Sequence, residues 1–92
     1  MIKNVSNEQA FWFCNSKGWV GKIAHNVDEF SKDVKSVPTD SLEFHLRDDK
    51  NDFEAWLKNS LQEKRLSKKM TQIKKQKLRG EELRKALEAL FV

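Results

Sequence analysis

A single cysteine, Cys14, in 92 residues excludes an internal disulfide and any metal cluster built on several thiolates. The spacing leaves it as a buried, inert thiol. Three scattered glycines supply no phosphate-cradling loop, and no nucleophile stands beside a base in a recognisable arrangement, so the pattern reads as non-enzymatic. Long apolar runs are missing as well. The longest uncharged stretch, Gln9 to Ser16, is far too short for a membrane span, and the N-terminus shows no basic start followed by an apolar run and a cleavage site. The expected location is cytoplasmic. No repeat and no Gly-, Ser- or Pro-rich linker divides the chain, which reads as one domain, residues 1–9 forming a loose lead-in and 10–91 the folded part.

Thirty-eight per cent hydrophobic residues, with three Trp and six Phe, are enough for one core, so the high charged fraction does not imply disorder. A chain this short buries only about 60–65% of its unfolded surface, which leaves a thin margin of stability. The net charge of +4 hides an asymmetry. Residues 1–60 carry eight Lys or Arg against ten Asp or Glu, whereas residues 61–92 carry ten against four. Between Lys64 and Arg79 stand eight basic residues and no acidic one.

The aromatic run Ala10 to Cys14 is too short for a helix and reads as a strand. Asn15-Ser16-Lys17-Gly18 supplies a turn, and Trp19 to Ala24 returns as a second strand, with Gly18 taking the positive φ. Asn26 followed by Glu29 has capping-box spacing, and Val27, Phe30 and Val34 then share one face of a helix to about Lys35. Pro38 breaks it. A short helix from about Thr39 to Leu46 buries Leu42 with Leu46 or Phe44. Asn51 with Glu54 repeats the capping spacing, and Phe53, Trp56, Leu57 and Leu61 form a helical stripe. A further helix runs from about Gln62 to Gln76 with Leu66, Met70 and Ile73 inward. Gly80 marks a break, Leu78 is placed to staple onto Leu83, and Glu81 to Phe91 closes the chain as an amphipathic helix. The fold class is therefore mainly α, a compact bundle of four to five short helices with a small N-terminal β-hairpin.

The stretch from Phe44 to Leu57 resembles a small prokaryotic domain family, common in archaea, with no assigned activity. Its members show a histidine-rich helix end, then Lys-Asn-Asp-Phe, then a Trp three residues on. His45, Lys50, Asn51, Asp52, Phe53 and Trp56 match, while Arg47 stands where a small polar residue is typical and Ala55 where Asn is. The resemblance spans roughly Phe11 to Phe91 and implies a fold more than a function.

Each chemical reading of these residues has a structural alternative. His25 and His45 with Cys14 or Asp48 lack metal-ligand spacing. Asp48 to Asp52 faintly suggests a calcium loop, but Lys50 falls on a ligand position, the turn glycine is missing, and residue 59 is Asn. No cofactor or metal is expected. His45 reads as a structural residue tying the short helix to the Asn51 turn through a ring nitrogen, and Phe53 and Trp56 as core.

The basic block has more leverage on function. With Leu66, Met70 and Ile73 inward, Lys64, Lys68 and Lys75 project outward at about 100° per residue as a cationic ridge. Such a ridge can be a plain solvated face, a contact for a protein partner with an acidic surface, or a phosphate-driven, sequence-unspecific nucleic-acid contact using Lys64, Lys68, Lys69, Lys74, Lys75 and Lys77. The block holds Lys rather than the Arg and Asn of base readout, and no aromatic is interleaved for stacking. The expectation is a non-catalytic interaction or regulatory module whose partner is another protein, with nucleic-acid binding through helix 64–79 as the alternative.

Overall fold

A computed structural model describes residues 3–91. Residues 1 and 2, the start of the expected lead-in, and residue 92 lie outside the described part. The described residues form an antiparallel hairpin, β1 (Phe11–Asn15) and β2 (Gly18–Ala24), followed by five helices. These are α1 (Val27–Ser36), α2 (Thr39–Phe44), α3 (Asp52–Asn59), α4 (Lys64–Gln76) and α5 (Gly80–Ala89). The chain is mainly α with a small N-terminal hairpin. Among the described residues no helix is long and apolar enough to cross a membrane.

Gly18 holds φ +120 in the hairpin turn, as the turn chemistry requires. The register pairs Trp12 with Ile23 and Cys14 with Trp19, so residues 20–22 of β2 face Phe13 alone. Gly21, φ +94, sits in that bulge. Strand alternation sends Phe11 and Phe13 into the core and leaves Trp12, Cys14, Trp19 and Ile23 on the outer face. Cys14 is half-buried there rather than sealed in the core.

The helix starts follow their caps. Asn26 accepts from the Glu29 amide at 2.8 Å. The Glu29 carboxylate reaches one residue beyond the usual box, accepting from the His25 amide at 2.8 Å. Its bonds to the His25 ring and amide hold that carboxyl below its usual range. Asn51 accepts from the Glu54 amide at 3.0 Å and donates to Met70 O at 3.2 Å. Thr71 Oγ1 donates to Glu54, so the cap of α3 is also its joint with α4.

Phe30 of α1 is the hub of the core. It meets Phe11, Phe13, Phe53 and Trp56 with ring centroids 5.3–5.7 Å apart. The stripe of Phe53, Trp56, Leu57 and Leu61 is buried throughout. Side chains of this size contribute about 1.5–3 kcal/mol each when removed from water.

Three boundaries differ from the periodicity reading. α2 ends at Phe44, so Leu42 is buried with Leu46 packed beside the core, while Phe44 is only half-buried under Arg47. α4 begins at Lys64, not Gln62, because Gln62 turns left-handed (φ +58) and Glu63 N–H closes back on Leu57 O at 2.7 Å. Its buried face is Ser67, Met70 and Ile73, with Leu66 half-buried, since Ser67 can return its hydroxyl to Lys64 O. Gly80 opens α5 rather than preceding it.

Residues 3–9 contain no regular element, yet they are tied down rather than loose. Val5 is buried and its amide donates to His25 O at 2.9 Å. Gln9 O accepts the Trp56 indole N–H at 2.7 Å.

Candidate functional site

His45 closes α2 and is 5% exposed. Its Nε2 accepts the Cys14 backbone N–H at 2.9 Å, and its Nδ1 lies 2.9 Å from the Asp52 carboxylate. Because the Cys14 amide can only donate, Nε2 must be bare and the ring proton must sit on Nδ1, donating to Asp52. Asp52 N–H donates in turn to His45 O at 3.0 Å. One helical turn earlier, buried Ser41 donates its hydroxyl to Cys14 O at 2.8 Å. Ser41 and His45 thus grip both backbone groups of Cys14 from one face of α2. Burial pushes the His45 imidazole below its usual pKa, the Asp52 carboxylate pulls it back up, and the Arg47 charge lowers it further. The dyad has the outline of an acid–base pair, but both ring nitrogens are already engaged.

Around it, Phe53 and Trp56 lie in the core, Asn51 and Asp52 are half-buried in the α3 start, and Lys50 is exposed. The basic residues do not act as one block. Lys64, Lys68, Lys69, Lys75 and Lys77 are exposed. Lys74 is set apart from them, because its ammonium donates to Leu46 O at 2.6 Å and to Asp48 O at 2.8 Å. It caps the chain leaving α2 and helps hold Asp48 at φ +54. Arg84 does the same for α1, donating to Val34 O and Val37 O at 2.8 Å each. Glu43 covers the start of α5, accepting from Gly80 N–H at 2.8 Å. Nothing in the sequence distinguishes these three from solvated helix-surface charges.

This division gives a test. Changing Lys64, Lys68 and Lys75 together to Gln should alter stability by less than about 0.5 kcal/mol, because exposed charges contribute little and Gln is a comparable helix former. Lys74→Gln alone should cost about 1–2 kcal/mol by stranding two carbonyls of their charged donor. Urea denaturation of the two variants separates the cases, and equal midpoints would refute the capping role of Lys74.

The exposed large apolar side chains among the described residues are on the hairpin. Trp12 is 43% exposed and Trp19 is 54% exposed, with ring centroids 5.4 Å apart and planes at 56°. Beside the hairpin turn lies a half-open groove of about 500 Å³. Asn15, Ser16, Arg47, Lys77 and Arg79 are among the residues that line it. The Arg47 guanidinium lies 3.8 Å over the Phe44 ring. Sequence periodicity missed this site because Phe11 to Cys14 is apolar at every position, so no polar alternation marks which face of the strand is outward. Among the described residues, no three His, Cys, Asp or Glu side chains converge closely enough to hold a metal ion.

No curated protein and no solved structure matches the chain. A family does, over residues 1–92, and the chain belongs to it: the family of unknown function DUF5752.

Proposed function

We propose that this domain is a non-catalytic interaction module of the cytoplasm that meets its partner through the outer face of the hairpin. The observation that supports this reading is the exposed pair Trp12 and Trp19, in a chain that buries Trp56 and the Phe residues of its core. An exposed cross-strand aromatic pair adds only about 0.2–1 kcal/mol to a sheet. Trp is, by contrast, the residue most enriched where contacts carry binding energy. Another protein is the general expectation for such a face.

The reading is tested by changing both residues to Thr, a good strand former. The double variant should melt within about 8 °C of the parent, as the loss of at most about 1 kcal/mol implies for a domain this size. Formaldehyde crosslinking in cells should yield adducts with the parent that the variant lacks. Collapse of the variant's stability would make the pair structural, and an unchanged adduct pattern would remove the hairpin from the contact surface.

The second reading takes the exposed Lys64, Lys68, Lys69, Lys75 and Lys77 as phosphate contacts, Lys74 being occupied by backbone carbonyls. On that reading the triple Gln variant at positions 64, 68 and 75 should bind mixed-sequence nucleic acid with a salt slope shallower by up to about 0.7–0.9 per contact removed.

A further inference from the structure

The geometry points to a single-stranded nucleic acid as the occupant of the hairpin face and the adjoining groove, an assignment that rests on the contact role given to Trp12 and Trp19. Three independent observations support it. The first is how the indoles are held. Trp12 donates its N–H to Asn7 O at 3.0 Å, and Trp19 donates to Lys22 O at 3.1 Å. Both rings are fixed by their own backbone, and covering them strands no donor. What they offer outward is π surface, which stacks on any base without reading its identity.

The second observation is charge. From Gln9 to Val27 the charged residues are Lys17 and Lys22, both positive. A second copy of this chain would set lysine against lysine, whereas an anionic polymer meets complementary charge on the hairpin. Lys22 is partly offset by the nearby Asp33 carboxylate, while Lys17 at the turn is exposed.

The third observation is continuity. The turn residues Asn15 and Ser16, which follow β1, also line the groove that holds Arg47, Lys77 and Arg79, so the hairpin turn connects the Trp face to a cation-lined groove. The carboxylates in that groove are Asp40, Glu43 and Asp48. Asp40 accepts from the Asn15 amide at 3.4 Å, and Glu43 accepts from Gly80 N–H and lies 3.7 Å from Arg79. Arg47 over Phe44 adds a planar cationic surface within that groove. A duplex hides its base faces and cannot use the Trp pair, so the preferred form is single-stranded.

Fluorescence anisotropy of a labelled oligo(dT) or oligo(U) of about 12 nucleotides tests this with the whole chain at about 20 and 150 mM salt. Single strands should bind at the lower salt, and a duplex of the same length at least about tenfold more weakly. The Trp12→Thr/Trp19→Thr variant should lose about tenfold or more, and the Trp12→Phe/Trp19→Phe variant should recover part of it. Changing Lys17 and Lys77 to Gln should lower the salt slope by about 0.7 per contact. Failure of the parent to bind at 20 mM salt, or binding that ignores both Trp substitutions, overturns the assignment. So does association with anionic phospholipid vesicles in place of oligonucleotides. If cellular adducts still depend on Trp12 and Trp19 while oligonucleotides fail to bind, the contact face stands and its partner is a protein.

Discussion

Trp56→Ala is expected to cost about 3–5 kcal/mol, the range for emptying an aromatic core site. Trp56 is 7% exposed and stacks on Phe30 at 5.4 Å with planes 26° apart. It also meets Phe11 edge-on at 5.5 Å. Its indole N–H fastens residue 9, so the substitution opens a cavity at the hub of the core and releases the N-terminal segment together. In a domain whose whole stability is about 5–15 kcal/mol, that loss should lower the melting temperature by well over 10 °C. Trp56→Phe separates the two contributions. It keeps most of the ring packing and removes the bond to Gln9 O, so it should cost less than the Ala variant while exposing residues 3–9 to faster amide exchange. A Trp56→Ala protein melting within a few degrees of the parent would show that α3 does not turn this face inward.

The second large effect is expected at His45. His45→Leu leaves the half-buried Cys14 amide without its acceptor, which costs about 1–3 kcal/mol, and removes the anchor of Asp52 as well. The parent should also lose stability on acidification. The folded imidazole titrates below the ordinary histidine value of 6.5, chiefly because it is buried. Between that value and the depressed one the unfolded chain binds more protons than the folded chain, so stability rises with pH. The His45 contribution is complete above about pH 7 and is lost as pH falls through the depressed folded value. The cause is local. A proton on Nε2 would point at the Cys14 N–H, replacing a hydrogen bond with two opposed donors. Urea midpoints at about pH 7.5 and 5.5 should separate in the parent and converge in His45→Leu. An equal pH dependence in both proteins would place the proton-linked step elsewhere.

Fold class and much of the core were legible because their signals are local. The turn at Gly18, the caps at Asn26 and Asn51, and the stripe of Phe53, Trp56, Leu57 and Leu61 each depend on residues within about one or two helical turns of one another. At the start of α4, where periodicity misplaced the boundary, a single backbone conformation was responsible. Gln62 in the left-handed region cuts α4 short at its start, and no side-chain pattern announces a non-glycine residue there.

The sequence by itself determined the hairpin-plus-helices class, the buried stripes and the charge asymmetry, because hydrophobic period and capping chemistry act over a few residues. Only the tertiary structure decided which polar groups are structural. Lys74 reaches back 28 residues to Leu46, Arg84 reaches 50 to Val34, and His45 reaches 31 to Cys14. On a helical wheel each is a polar residue, and its partner is a backbone atom that any residue could supply, so no residue pattern encodes the pairing. The same holds for the candidate site. Strand alternation separates Trp12 from Phe11 and Phe13, but which face is outward was set by α1 and α2 packing against one side of the hairpin and leaving the other uncovered. A face becomes a surface only when the rest of the chain has buried its opposite.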